Sequence, residues 1–479
     1  MTASNSPDKL RRNVLGVAAV TFFVVSAAAP LTAVAGGFPI AMLLGNGVGV
    51  PLAVLVVMAI LLIFSVGYTS LARHISNAGS FYAFTARGLG GVAGGAAAYV
   101  AVLAYNAMQI GLYGLFGGVA AGVMAGIVGI DQPWWVWSLI AWAIVGIFGY
   151  LKIDLSAKVL AVLVAAEYIV VVILDFAILG QGGAAGHSMV SFTPEAFMSG
   201  SPVIGMLLCF AGFMGFEATT IYSEEARDPV RTVPRATYLS VLVIGLFYAF
   251  TTWCMVNGVG ADNLMTTLGG LADPTTFIFV LSDQYAGATI STIMSLLLIS
   301  SVFAALLAFH NAAARYFYVM GREGLLPAAL GRTHAAHQSP HAGSLLQTIL
   351  GVIVLAIFIL TDQDPILALF VWLTNLATLG VITLMALVSL AVIVFYRRNP
   401  SLAGSPFSSL LAPLVAGILL AIIAYTVVTH FDLLTGASPA LSIGLPILVP
   451  VAAIIGAIVA YMLKQSGSSR FAQLGAHQV

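Results

Sequence analysis

Long apolar stretches alternate with short polar connections along nearly the whole chain. A helix needs about 20 mostly apolar residues to cross the hydrocarbon core of a bilayer, and twelve stretches reach roughly that length. The pattern therefore predicts an all-α membrane protein with twelve transmembrane helices, called spans 1 to 12 below. The predicted spans are 13–44, 50–72, 92–126, 134–151, 157–180, 199–222, 237–260, 276–310, 342–361, 366–396, 408–429 and 441–463.

The composition supports a membrane protein and argues against several other classes. Hydrophobic residues make up 61% of the 479 residues and charged residues 7%, whereas a soluble domain is about a quarter charged. Because the net charge is zero, the chain offers no basic patch, and no nucleic acid partner is expected. Cys209 and Cys254 lie in apolar stretches and are interpreted as packing residues, so no disulfide, metal or cofactor is expected.

The positions of the basic residues test the span count. With twelve spans, all 17 lysines and arginines fall on the side that carries both termini, and the opposite connections carry acidic residues such as Asp131 and Asp262. Basic residues beside a span stay cytoplasmic during insertion. We therefore predict a multi-pass protein of the cell membrane whose segments 1–12 and 464–479 are cytoplasmic. The first span is expected to be an uncleaved helix that continues to about Leu44.

Two of the predicted spans contain sequences that interrupt a helix. Pro30 lies near the middle of span 1 and lacks a backbone donor, and span 6 contains Gly212 and Gly215 just before Glu217. The two spans are five apart, which is the spacing expected of two five-helix repeats. Broken helices at matching positions of two inverted repeats mark a binding site near the middle of the membrane. The alternative is that the proline only kinks its helix and the glycines only permit close packing.

Three groups of residues resemble motifs of one known family, the amino acid–polyamine–organocation (APC) superfamily of permeases. Residues 76–84 (SNAGSFYAF) follow span 2, residues 213–217 (FMGFE) precede 224–236 (EEARDPVRTVPRA), and residues 315–327 read RYFYVMGREGLLP. The resemblance implies the five-plus-five inverted-repeat fold of the leucine transporter, with helices 1 and 6 broken. The first repeat would be 13–180, the second 199–396, and helices 11 and 12 (407–463) would be peripheral.

The resemblance also implies secondary transport of an amino acid or organic amine, often driven by protons or by exchange. The broken parts of helices 1 and 6 would hold the substrate, with span 3 lining the pathway and Phe309 aligned with an aromatic residue that packs on substrate in arginine/agmatine exchangers. Many family members carry G-(S/A)-G in helix 1, where this chain reads Ala-Ala-Ala-Pro-Leu-Thr, so a decarboxylated amine is an alternative substrate. The predicted substrate-binding residues are Ser26, Ala28, Ala29, Thr32, Asn106, Gln109, Tyr113, Ala211, Gly212, Phe213, Gly215 and Phe309.

Glu167 is the predicted proton-coupling residue. It lies in span 5 among apolar residues, where a carboxyl group must be neutral, paired or in contact with water. In the resemblance it falls where several family members place a lysine in a sodium site between helices 1, 5 and 8. It is therefore expected to take up and release a proton during transport. The alternative is a structural hydrogen bond between helices.

Five further residues are assigned structural or gating roles, and two other functions are considered. The structural or gating residues are Pro30, Glu217, Glu225, Arg227 and Arg322. The leading hypothesis is a proton-coupled amino acid permease, and the nearest competitor is a polyamine or other amine carrier. A channel would need a continuous polar lining, and a membrane enzyme would need a metal or nucleophile motif. His334 and His337 form an H-x-x-H pair that lacks the helix and glutamate of a protease site.

Overall fold

The computed structural model describes residues 15–75, 79–151, 157–221, 226–334, 339–436, 438–472 and 474–475. These residues form helices joined by turns and contain no β-sheet, although one isolated parallel bridge joins Leu15 to Ala226. The α-helices are α1 (Val17–Ala27), α2 (Phe38–Ala41), α3 (Val50–Ala72), α4 (Ser80–Leu89), α5 (Gly91–Val123), α6 (Trp134–Leu151), α7 (Ala157–Gly180), α8 (Pro194–Phe197), α9 (Pro202–Gly212), α10 (Ala218–Ile221), α11 (Pro229–Val259), α12 (Leu264–Gly269), α13 (Phe277–Tyr285), α14 (Ala288–Glu323), α15 (His341–Leu360), α16 (Val371–Arg398), α17 (Ala412–Thr429), α18 (Phe431–Thr435), α19 (Pro439–Gln465) and α20 (Ser469–Ala472).

Segments of π-helix extend several of these elements. Two of them, Thr32–Gly37 and Met42–Asn46, connect α1 to α2 and α3, and a third, Pro365–Phe370, leads directly into α16. Wider helical turns of this kind often occur at functional sites. Two of these three segments also adjoin the cavity described below.

Ten helical segments in the described part of the chain are long and apolar enough to cross a membrane. The first, Val17–Ala72, has 56 residues and contains both predicted spans 1 and 2, so it is long enough for two crossings of about 20 residues each. Predicted span 6 is not among the ten because it is divided between α9, with 11 residues, and α10, with 4. The all-helical membrane character is confirmed for the described residues. The count of twelve crossings stays a prediction.

The order of helix lengths is similar in the two halves of the chain. After the first interrupted helix, α3 to α7 contain 23, 10, 33, 18 and 24 residues. After the second, α11 and α13 to α16 contain 31, 9, 36, 20 and 28 residues. The parallel order is what two repeats, 13–180 and 199–396, would produce. The inverted orientation of the repeats, and with it the leucine-transporter fold, stays a prediction.

Helix α5 is the central packing element of the bundle and contacts α14, α16 and α19. Small residues permit these contacts, as is usual between membrane helices. A Cβ atom on Gly95 would lie 2.6 Å from the carbonyl oxygen of Gly456 in α19, and one on Gly114 would lie 2.2 Å from that of Pro365. These two glycines therefore set how closely α5 approaches its neighbours.

Candidate functional site

The first interruption lies between α1 and the π-helical segment that begins at Thr32. Ala29 adopts a positive φ of 45°, a conformation that costs a non-glycine residue roughly 1–2 kcal/mol. Pro30 follows it, lacks a backbone donor and disfavours helical geometry in the residue before it. The helix therefore ends where the sequence predicted an interruption, and helical structure resumes at Pro30.

The second interruption lies between α9 and α10, where residues 213–217 form turns. Gly215 has a φ of 106°, which is readily accessible only to glycine. A Cβ atom on Gly215 would lie 3.4 Å from the Cβ of Ala27 at the end of α1. The two interruptions therefore lie in contact with each other, as the matched positions in spans 1 and 6 predicted.

A cavity of about 50 Å³ lies where these interruptions meet α5, α14 and the start of α16. This space admits only a few water molecules and is well below the volume of about 300–1,000 Å³ that is usual for small-molecule sites. The residues that line it are Ala27, Ala28, Ala29, Thr32, Ala33, Gly37, Met108, Leu112, Ala211, Gly212, Met214, Ala305, Phe309, Phe370 and Thr374. None of these lining side chains carries a charge, and the only two hydroxyl groups are those of Thr32 and Thr374.

The structure places half of the predicted substrate-binding residues around this cavity. The six that line it are Ala28, Ala29, Thr32, Ala211, Gly212 and Phe309. Of the others, Ser26 donates to the carbonyl oxygen of Phe22 at 2.7 Å, and Asn106 donates to that of Val102 at 2.7 Å. Their side-chain donors are therefore engaged with their own helices.

Phe213 and Gly215 lie beside the cavity and are not part of its lining. The Phe213 ring is buried and packs edge-on against Tyr248, with ring centres 5.8 Å apart. It borders a smaller, almost entirely apolar void of about 10 Å³ between α3, α9 and α16. Gly215 supplies the backbone turn of the second interruption. Their contribution to binding stays a prediction.

Gln109 and Tyr113 lie in a buried polar cluster away from the cavity. Gln109 Nε2 donates to the Tyr113 hydroxyl at 2.8 Å and lies 3.3 Å from His310 Nδ1, and the Gln347 amide donates to Gln109 Oε1. His310 Nε2 in turn lies 2.8 Å from the hydroxyl of Ser344. The cluster joins α5, α14 and α15 through hydrogen bonds between helices.

The residues that sequence reasoning missed on α5 are apolar. Met108 and Leu112 line the cavity, and because they are four residues apart they lie on one face of the helix. The polar side chains of α5 indicated a binding role by their chemistry. The face of α5 that lines the cavity is the adjacent, apolar face. Methionine at binding surfaces is a usable signal, because its flexible side chain adapts to different ligands.

Glu167 reaches the first interruption from α7. Its carboxylate is 2% exposed, and Oε2 accepts hydrogen bonds from the backbone amide of Leu31 at 3.2 Å and from the Ser301 hydroxyl at 2.8 Å. The Thr32 hydroxyl, which lines the cavity, donates to the Ser301 hydroxyl at 3.0 Å. Glu167 is therefore connected to the cavity through two hydroxyl groups and joins α7, α14 and the first interruption.

Glu217 lies in the second interruption and is fully buried. Its Oε2 accepts the amide of Gly215 at 2.9 Å, and its Oε1 accepts a hydrogen bond from the Tyr105 hydroxyl of α5. The carboxylate thereby satisfies an amide that the interrupted helix leaves without a helical partner. This contact is of the kind that the structural interpretation of Glu217 predicted, and its importance for transport stays a prediction.

The other predicted gating residues form no shared ion-pair network within the described part of the chain. Glu225 lies outside the described residues. The amide of Arg227 donates to the Leu15 carbonyl at 2.9 Å, and the Arg322 guanidinium lies over the Tyr318 ring, 5.4 Å from its centre. Pro30 lies in the first interruption itself. The gating roles of these residues therefore stay predictions.

Comparison with known proteins identifies the family. Residues 20–471 match the amino acid permease family. The low-affinity putrescine importer PlaP of Escherichia coli K12 is 25% identical over 307 residues, and the branched-chain amino acid permease BcaP of Bacillus subtilis 168 is 24% identical over 313. Each of these matches covers 62% of this chain and 65% of the relative. The histidine permease HisP of Lactococcus lactis is 28% identical over 233 residues, which are 46% of this chain and 47% of HisP.

The helices, the two interruptions and the cavity together define a class: a multi-pass helical membrane protein with a small cavity between two interrupted helices. Within that class the chain belongs to the amino acid permease family, because the match to the family covers nearly its whole length. The APC resemblance of the three motifs is thereby confirmed. The relatives carry the names of transporters and not of enzymes.

Proposed function

We propose that this protein is a secondary active transporter that moves an amino acid across the cell membrane by alternating access. The observation that carries the proposal is the cavity of about 50 Å³ at the contact between the two interrupted helices. Such a site can open to either side when groups of helices move around it. The amino acids named for BcaP and HisP support an amino acid as substrate.

The proposal includes twelve crossings in two inverted repeats, with both termini cytoplasmic. The similar order of helix lengths in the two halves supports the repeats. All 17 lysines and arginines lie on one side of the membrane in this arrangement, which supports the orientation because basic residues are retained in the cytoplasm. Helices α17 and α19 would be peripheral, and their many exposed apolar side chains, such as Ile443 and Ile454, support contact with lipid.

The proposal also includes proton coupling through Glu167. A buried carboxyl group within a membrane protein is functional by default. Glu167 contacts the backbone of the first interruption directly and the cavity-lining Thr32 through Ser301. A change in its protonation would therefore alter the contacts that hold one wall of the cavity.

An organic amine is the second candidate substrate. Two observations favour it: PlaP is named as a putrescine importer, and Pro30 removes one amide from the first interruption. The sequence matches do not decide between the candidates, because PlaP and BcaP are almost equally similar to this chain.

Uptake into proteoliposomes tests the proposed function. The purified protein is reconstituted with a pH gradient, and uptake of labelled amino acids and amines is measured against concentration. Saturable uptake together with counterflow is expected of a carrier. A conductance that does not saturate would instead indicate a channel, and the absence of both for all compounds would refute transport of these classes.

A further inference from the structure

The lining of the cavity is suited to the apolar part of a substrate, called the apolar body below. Thirteen of its fifteen lining residues are alanine, glycine, methionine, leucine or phenylalanine. The larger side chains are Met108, Leu112 and Met214 together with the rings of Phe309 and Phe370. A second charged group at the far end of a substrate would meet these side chains without a partner, which strongly disfavours its burial.

The helix ends around the cavity favour a positive charge. The last residues of α1 and α9 both line it, namely Ala27 and the pair Ala211 and Gly212. Each helix has 11 residues, and the carbonyl end of a helix carries a partial negative charge. The ligand-facing ends of these two helices therefore attract an ammonium group.

The backbone amides of the interruptions are already bonded within the protein. Pro30 has no N–H group, the Leu31 amide donates to Glu167, and the Gly215 amide donates to Glu217. The amides of residues 28, 29, 213, 214 and 216 donate to carbonyl oxygens three or four residues earlier, and the Glu217 amide is bonded to its own carboxylate. A substrate carboxylate would have to displace one of the protein's own carboxylates to gain an amide.

We infer that the substrate is an organic amine with a single ammonium group on an apolar body and without a carboxylate. This inference rests on the proposed transport function, and it selects the second candidate substrate, an organic amine, over an amino acid. The carbonyl ends of α1 and α9 receive the ammonium group, and the methionine, leucine and phenylalanine side chains surround the body. Glu167 and Glu217 occupy the amides of Leu31 and Gly215, and they repel a further carboxylate when they are ionised.

Pairs of compounds that differ only in the carboxylate test the inference. Concentration-dependent uptake into proteoliposomes is measured for isoamylamine against leucine and for 2-phenylethylamine against phenylalanine, with putrescine as the diamine. Each monoamine is expected to half-saturate transport at a concentration about tenfold or more below that of its parent amino acid, a difference of about 1.4 kcal/mol. Putrescine is expected to be weaker than both monoamines.

The outcomes separate the inference from the function on which it rests. Saturable uptake in which leucine or phenylalanine equals its amine, or in which putrescine surpasses both monoamines, would overturn the inference and leave a transporter in place. If none of the five compounds showed saturable uptake or counterflow, both the inference and the proposed function would be overturned.

A variant tests the structural cause directly. Glu167→Ala leaves the Leu31 amide without its carboxylate partner, so the preference for isoamylamine over leucine is expected to fall by about tenfold, a difference of about 1.4 kcal/mol. The preference is measured by exchange, which needs no proton gradient. Asp175→Ala is the matched control, because Asp175 is another buried carboxylate of α7 and is bonded to Thr251 instead. An unchanged preference in folded Glu167→Ala would contradict the inference. If the variant does not fold, the comparison of each amine with its parent amino acid in the wild-type protein tests the inference.

Discussion

Replacing Glu167 with glutamine removes a charge from the first interruption and preserves the shape of the side chain. The two hydrogen bonds to Oε2, from Leu31 at 3.2 Å and Ser301 at 2.8 Å, both require only an acceptor, and the glutamine Oε1 is one. A hydrogen bond to a charged group contributes about 1 kcal/mol more than one to a neutral group. The substitution therefore weakens the two contacts by about 2 kcal/mol at most, so Glu167→Gln is expected to fold.

The expected effect is a loss of accumulation with retention of exchange. In proteoliposomes whose membrane potential is clamped, a gradient of one pH unit supplies about 1.4 kcal/mol per proton. A wild-type carrier that moves one proton with each substrate should therefore concentrate the substrate about tenfold. Glu167→Gln cannot bind and release the proton, so its substrate should reach equal concentrations on the two sides. Counterflow should persist because it needs only the movement of the occupied site.

Glu217→Gln provides the matched control. Glu217 is also a buried carboxylate that accepts an amide of an interruption, so the substitution removes a charge in comparable surroundings. It is expected to keep accumulation driven by the pH gradient, although the loss of a charged acceptor for Tyr105 and Gly215 should lower thermal stability. Accumulation of about tenfold by Glu167→Gln with wild-type pH dependence would refute the coupling role and leave Glu167 as a structural hydrogen bond.

Three further tests concern the site, the packing and the topology. Gly215→Val should abolish substrate binding and leave membrane insertion intact, because valine cannot readily adopt the φ of 106° that the turn beside the cavity requires. Unchanged substrate affinity would place the binding site elsewhere. Gly149→Ala should lower stability by roughly 1–3 kcal/mol, since the new Cβ would lie 2.3 Å from His310 Nε2; thermal unfolding in detergent measures this, and an unchanged midpoint would contradict the packing. A cysteine at Ala184 should react with an impermeant reagent added to intact cells and one at Ser401 should not, so labelling at 401 would overturn the twelve-span topology.

Backbone features near the site were predictable because each has a local chemical cause. Pro30 cannot donate a hydrogen bond, and glycines permit the turn after Gly212, so the sequence alone located both interruptions. The apolar runs likewise indicated membrane helices, because bilayer thickness fixes their length. The structure divides predicted span 6 into two short helices. A count of membrane helices that is based on helix length alone therefore omits this span.

Side-chain placement on α5 was not predictable from chemistry alone. Gln109 and Tyr113 satisfy each other and their neighbours in a buried cluster, whereas Met108 and Leu112 line the cavity. A helix with polar residues on several faces can be rotated in more than one way, and packing with α14, α15 and α16 selects the rotation. The long-range contact between Glu167 and Leu31 likewise depends on the tertiary arrangement, since 136 residues separate the two.

The backbone amide that each carboxylate accepts gives a physical reason to assign coupling to Glu167 and not to Glu217. Glu217 accepts an amide only two residues away, so this contact moves with its own interruption, although its other oxygen accepts a hydrogen bond from Tyr105 of α5. The Glu167 contact exists only while α7, α14 and the first interruption keep their relative positions. Alternating access requires groups of helices to move past one another. The free energy of protonating Glu167 then differs between conformations. This difference in proton affinity allows a proton gradient to shift the populations of the conformations.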